Sequence, residues 1–184
     1  MAKPILAINM CFLRKRWAEP EEWAEIIDQQ LGLKYVEFSS DLLDPFFVPE
    51  PARSRIAGET RKAFESRGIA VVDYYTGVIT HCSNLLSHPD SAVRERGMEW
   101  CRRAIILAEQ IGAGGVGGHF DTIVYPECLE PKRRAARIDG VIRSFQSLSR
   151  DAKEHGLKFL LWEQMYTPTK PHIRSPKPRI FTNA

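Results

Sequence analysis

The 184-residue sequence is short of the features that most often declare a function. Its four cysteines, Cys11, Cys82, Cys101 and Cys128, are 71, 19 and 27 residues apart. There is no CxxC pair and no partner at zinc-finger spacing, which excludes a structural zinc site. Cys101 falls in a helical pattern and Cys11 in a strand pattern, so both are expected to be buried free thiols of a reducing compartment. No apolar run approaches the ~18 residues needed to cross a bilayer. The apolar stretch from Pro4 to Phe12 is short and is followed at once by Arg14, Lys15 and Arg16, so neither an export signal nor a membrane partner is expected and the cytoplasm is the expected location. A G-x-S-x-G elbow, a Walker A loop and an H-E-x-x-H pair are all absent, which removes the corresponding hydrolase, nucleotide and metalloprotease readings. Acid is missing from residues 170–184, which hold Lys170, Arg174, Lys177 and Arg179; without those four cations the net charge of +3 becomes −1. The body of the protein is therefore not basic. The Arg14–Arg16 and Lys132–Arg134 runs have no aromatic interleaving, and a nucleic-acid partner is not expected.

What is present is a strict alternation. Pro4 to Phe12 reads as a short, continuously apolar strand of the kind covered on both faces by helices. Pro20 opens a helix in which Trp23, Ile26, Ile27 and Leu31 recur at helical spacing, and Gly32 closes it. The same unit follows again: a strand from Tyr35 to Leu43, a helix from Ala52 to Gly68, and a strand from Ile69 to Thr76. Ser87 and Asp90 have capping-box spacing ahead of a helix with Val93, Trp100, Ala104, Leu107 and Ile111 on one face and Gly112 at its end. Gly114 to Thr122 is a glycine-rich fourth strand. Pro131 to His155 is a long helix with Ile138, Val141, Ile142, Phe145, Leu148 and Ala152 inward, capped by Gly156. Leu157 to Met165 is the fifth strand. Strict alternation implies parallel strands joined by crossovers. The turn after strand one, Leu13 to Trp17, lacks the glycines that an open nucleotide-binding sheet carries there. The expected fold class is α/β, the N-terminal five βα units of a (β/α)8 TIM barrel, incomplete because such a barrel takes eight units. Residues 1–169 are expected to form this partial barrel. Residues 170–184 are expected to be an irregular, basic, proline-rich tail, either flexible, as such composition commonly is, or the product of a changed reading frame or a broken gene near Lys170, because the fifth helix that should begin there is missing.

In such barrels the chemistry sits at the C-terminal ends of the strands. That filter leaves Asn9, Glu37, Asp41, Asp73, Tyr75, His81, His119, Asp121 and Glu163. Glu163 follows the apolar run Phe159–Trp162 and would be costly to bury without a cation or a proton; it is a metal ligand, a proton-transfer base, or a strand-end glutamate turned to solvent. His119 follows Gly117 and Gly118, where small residues let a ligand approach, and could bind a hydroxyl, assist catalysis or simply bond a backbone carbonyl. His81 lies in a loop and could contact a polar substrate. Glu37 and Asp41 are candidates by position, lining the barrel mouth. His155 and His172, at a helix end and in the tail, are given no role.

The opening strand, the Glu37 segment, the loop from His81 to Asp90, Gly-Gly-His119 and Trp162-Glu163-Gln164-Met165 together resemble the xylose-isomerase-like barrels, which isomerise or epimerise sugars and sugar phosphates. The resemblance runs over residues 4–169 and is strongest to tetrulose-phosphate (erythrulose phosphate) epimerases. It implies a divalent metal (Mn, Mg, Co or Zn) held by a glutamate after strand five, an aspartate after strand six, a histidine after strand seven and a glutamate after strand eight. Only the first of these maps, to Glu163. It also implies that Glu163 would both bind the metal and exchange a proton beside the carbonyl through an enediolate, with His119, His81 and Glu37 facing the sugar. Since three ligands have no counterpart, the chain is expected to be a truncated and inactive form. Two other readings stay open: a metal-dependent phosphodiesterase of the same superfamily acting on abasic DNA, and a non-catalytic half-barrel completed by a partner or by a second copy as a homo-oligomer.

Overall fold

The computed structural model describes residues 5–163 together with 181 and 182. Five strands, β1 (Ile8–Asn9), β2 (Tyr35–Ser39), β3 (Ala70–Tyr75), β4 (Gly115–Gly118) and β5 (Phe159–Trp162), pair in parallel in the order of the sequence. Between them lie α1 (Pro20–Glu25), which continues as a π turn over Ile26–Gln30, then α2 (Ala52–Ser66), α3 (Gly77–Cys82), α4 (Ser91–Ile111), α5 (Tyr125–Leu129) and α6 (Pro131–Glu154). This is the expected alternation of the first part of a barrel: five parallel strands with helices in each of the four connections between them. A short sixth strand, β6 (Phe181–Thr182), pairs antiparallel with β5. The rest of the expected tail, with His172, and the Gln164–Met165 end of the fifth strand lie outside the described residues.

The helices begin and end where the chain chemistry directs. Pro20 stands at the first position of α1, with Glu19 and Glu22 in a reciprocal capping box, and Gly32, Gly68, Gly112 and Gly156 all follow helices with positive φ. The start of α4 differs from expectation. Asp90 is its N-cap, accepting from the Ala92 N–H, whereas Ser87 donates its hydroxyl to the Thr122 carbonyl and takes no part in a box. Three strands are shorter than expected, β4 ending at Gly118 and not at Thr122. The Asn9 side chain accepts from the Cys11 N–H and turns Met10–Leu13 into a 3-10 helix, so Cys11 is exposed and not buried. Bonds from Leu42 and Leu43 back to Ser39 and Ser40 likewise end β2 early. Cys101 is buried as expected. Val93 and Ile142 face outward, unlike the rest of their predicted stripes.

The core lies between the sheet's outer face and the helices. Phe38 of β2 is fully buried, edge-on to Trp23 of α1 at 5.9 Å and stacked on Tyr74 of β3 at 6.0 Å. On the other side Trp162 of β5 stacks on Phe145 of α6 at 4.8 Å, and Phe145 meets Phe120 edge-on at the same separation. Alternation along the strands then directs Glu37, Asp73, Tyr75, Leu161 and Glu163 to the inner face. Truncating Phe38 to Ala removes the ring that joins α1 to β3, and is expected to cost about 3–5 kcal/mol, read as a lower urea midpoint with unchanged slope.

Candidate functional site

The site is assembled at the C-terminal ends of β3, β4 and β5. Gly118 ends β4 with φ 122°, a conformation that L side chains rarely adopt, and a Cβ there would come within 3.1 Å of the Tyr75 ring. This turn carries His119 over Tyr75. His119 is 1% exposed, and its carbonyl accepts from the Thr76 hydroxyl at 2.8 Å. Glu163, directly after β5, is anchored by its N–H to the Gly118 carbonyl. Its side chain is about half exposed: Oε2 accepts from the Tyr75 hydroxyl at 3.0 Å and lies 3.4 Å from His119 Nε2. His81 completes the group. Its Nε2 is 3.4 Å from the Tyr75 hydroxyl, and its ring centre is 3.8 Å from that of His119.

His81 sits on a helix and not in a loop. The helix α3 has only six residues and no apolar period, which is why the sequence pattern does not reveal it. Its first residue, Gly77, has φ 64° and sits against Ser40 and Asp41, where a Cβ would collide with both side chains. Asp41 accepts from the Val78 N–H at 2.9 Å and pairs with Arg14 at 3.0 Å, while the Ser40 hydroxyl bonds the Thr76 carbonyl. Asp41 thus fastens α3 beneath His81. Tyr75 is the member whose role sequence reasoning missed: it stood among the strand-end residues without a function. Its signal was the spacing Asp73-x-Tyr75, which puts both on one face of β3. Burial, followed by the bond to Glu163, raises the affinity of its phenol for its proton.

A second group lies one pleat deeper. Asn9 Nδ2 donates to Glu37 Oε2 at 3.2 Å, and Glu37 faces Asp73 across β2 and β3. Asp73 is 2% exposed, with its Oδ1 buried and lacking a hydrogen-bond partner. Burial, with the Glu37 charge beside it, pushes its pKa up to about 7. Asp121 is in neither group. It is fully buried beside Cys101, and its Oδ1 accepts from the Thr122 N–H. Burial pushes its pKa to about 7 as well. His155 ends α6 and bonds Glu109 at 2.8 Å.

Glu163 and His119 offer one oxygen and one nitrogen to a cation. A divalent metal takes four or more ligands, and among the described residues no cluster of three or more His, Cys, Asp or Glu could hold one. The described part of the chain does not by itself fit the expected metal. Its chemistry rests on a half-exposed carboxylate held by a phenol and flanked by two imidazoles, a set able to bind hydroxyl groups and to move a proton.

Five parallel strands with helices in the connections between them, and a carboxylate and two histidines at the C-terminal rim, define part of a parallel strand-helix barrel. The chain belongs to the xylose isomerase-like TIM barrel family, whose model matches residues 22–169. It is 26% identical over 160 residues to the D-erythrulose 1-phosphate 3-epimerase of Brucella abortus, a match covering 87% of this chain and 51% of that protein. The crystal structure of a candidate xylose isomerase from Rhodospirillum rubrum superposes with a TM-score of 0.85 at 29% identity, over 90% of this chain and 56% of the other. The D-psicose 3-epimerase of Clostridium cellulolyticum, solved with D-tagatose, shares the fold at a TM-score of 0.65 and 16% identity, over 89% and 53% of the two chains. The chain spans about half the length of these relatives. Among the described residues no helix is long and apolar enough to cross a membrane.

Asp73 and Asp121 give the fold a pH signature. Each binds its proton more tightly folded than unfolded, so its contribution to stability is complete below pH about 4. That contribution is lost as pH rises towards the folded-state value near 7. Asp121→Asn is expected to flatten the fall in urea midpoint between pH 4.5 and pH 7.5; an unchanged slope would mean that Asp121 titrates normally.

Proposed function

We propose that this chain carries the β1–β5 side of a sugar or sugar-phosphate isomerase or epimerase, with Glu163 as the residue that moves a proton at the carbon next to the substrate carbonyl. The observation that carries the reading is the placement of Glu163 after β5, held by Tyr75 at 3.0 Å with His119 at 3.4 Å. A carboxylate held from one side by a phenol keeps its other oxygen for a C–H proton, and the half-exposed setting leaves room for substrate. His81, exposed at the rim, is the sugar-facing donor, with His119 buried against its ring, and Glu37 lies deeper on the same wall. The activity of the Brucella relative on a four-carbon ketose phosphate supports the substrate class. Glu163 and His119 would contribute two donors to a divalent cation, which would supply positive charge to the substrate oxygens if further donors completed its site. With two donors from the described residues, the chain alone is expected to hold Mn²⁺ with a Kd weaker than about 100 μM and to turn over far more slowly than its longer relatives. The balanced charge of the body favours this over the abasic-DNA reading.

The test is deuterium wash-in from D₂O at the carbon beside the carbonyl of D-erythrulose 1-phosphate, followed by NMR with Mn²⁺ present. Slow wash-in that Glu163→Gln reduces at least about 100-fold is expected, together with no cleavage of abasic DNA. Wash-in indifferent to Glu163, or DNA cleavage, overturns the proposal. In the same reaction Tyr75→Phe is expected to slow wash-in about tenfold, because Glu163 loses the hydroxyl that holds it and can turn away from the substrate.

A further inference from the structure

We propose that Asn9, Glu37 and Asp73 form a hydroxyl-binding cradle on the inner face of the sheet, one that takes adjacent hydroxyls of the sugar chain whose carbonyl end lies at Glu163. The inference rests on the proposed function and deepens it by assigning part of the substrate to side chains outside the rim.

Three observations carry it. The first is register. Ile8 and Asn9 pair with Val36 and Glu37, but between Val36 and Glu37 the pairing of β2 with β3 slips by one residue: Val36 lies opposite Val71, and Glu37 lies opposite Asp73. Val72 is the extra residue. Without this bulge Glu37 would face an apolar side chain; with it, two acids stand side by side on the inner face. Bulges of this kind re-aim side chains next to binding sites. The second is the unpartnered oxygen. Asp73 is 2% exposed, yet its Oδ1 has no hydrogen-bond partner, and a buried acid left in that condition is costly to the fold unless a ligand supplies the missing donor. The third is the fit of the acid against β4. Gly117 has no side chain, and one oxygen of the Asp73 carboxylate lies where its Cβ would be, so the acid is seated on bare backbone and only its other oxygen is left without a partner.

The chemistry suits a polyol. Carboxylate oxygens accept from hydroxyls, the Asn9 amide donates, and Asp73, with its proton held up to about pH 7 by burial and Glu37, can do either. The reach is suitable too. Asp73 and Tyr75 are two residues apart on one face, roughly 6.6 Å along the strand, and the Tyr75 hydroxyl bonds Glu163. A carbon chain bound at Glu163 and running inward along β3 meets the cradle with its distal hydroxyls, whereas a three-carbon ketose phosphate falls short of it.

The experiment titrates the full chain with two probes, D-erythrulose 1-phosphate and dihydroxyacetone phosphate, following the ring-proton signals of His81 and His119. Asp73→Asn and Glu37→Gln are each expected to weaken the four-carbon probe about tenfold and to leave the three-carbon probe unchanged. A structural role alone would weaken both probes alike, and that result overturns the cradle. So does an unchanged affinity for the four-carbon probe in either folded variant, in which case the reading of Glu163 still stands. Wild-type chain that binds neither probe removes both proposals. Mn²⁺ binding in the absence of sugar that is lost in Asp73→Asn would mark a cation site instead and also overturns the cradle. If Asp73→Asn does not fold, Glu37→Gln and Asn9→Ala make the same comparison.

Discussion

Pairing between β2 and β3 is the constraint on which the other features depend. Five residues of each strand are matched, and one side of the match, through Val36, Phe38, Val71 and Tyr74, belongs to the apolar cluster under the helices. Once these side chains are buried, the pleat leaves no choice for the rest: Glu37, Asp73 and Tyr75 must face inward. The slip at Val72 reconciles two apolar anchors, Val71 and Tyr74, that are three residues apart and could not share a face in a regular strand. The acid pair on the inner side is the consequence of satisfying the outer side.

The rim depends on the same frame at one remove. Tyr75 is the last residue of β3, and its backbone carbonyl accepts from the Ser40 N–H. The chain then turns at Gly77 against Ser40 and Asp41, and the resulting helix brings His81 back over the strand end. From the other side, Gly118 turns His119 over the Tyr75 ring, and β5 delivers Glu163 to the Tyr75 hydroxyl. Three residues, His81, His119 and Glu163, therefore meet around the Tyr75 side chain. The arrangement is polar and half open because the apolar side chains of those strands are occupied in the opposite layer, where Trp162 and Phe145 stack.

The relationship to sugar-converting barrels is consistent with this division of labour. An outer layer of helices and aromatic side chains holds the strands, while the strand ends and inner faces hold the groups that touch a ligand. The described residues supply a half-exposed carboxylate and hydrogen-bonding side chains at the rim, and they supply two of the several donors that a divalent cation requires. Chemistry at this rim is thus set by how many donors converge, which strand length and register control.

Much of the fold was written in the order of the residues. The recurrence of short apolar runs, helical stripes and closing glycines determines five strands with helices between them, since burial periodicity and left-handed caps are local properties. The position of Glu163 after an apolar strand was equally legible. What only the tertiary structure decided was which side chains meet. Asp41 and Asp121 looked as eligible as Glu163 by strand position, but one holds down α3 and the other is sealed beside Cys101. Tyr75 and Asp73 gained their parts from partners 88 and 36 residues away. The register slip, the six-residue α3 and the turn at Gly118 arise from packing between distant segments. No local pattern encodes them, because the energies that select them belong to contacts the chain makes only after it has folded.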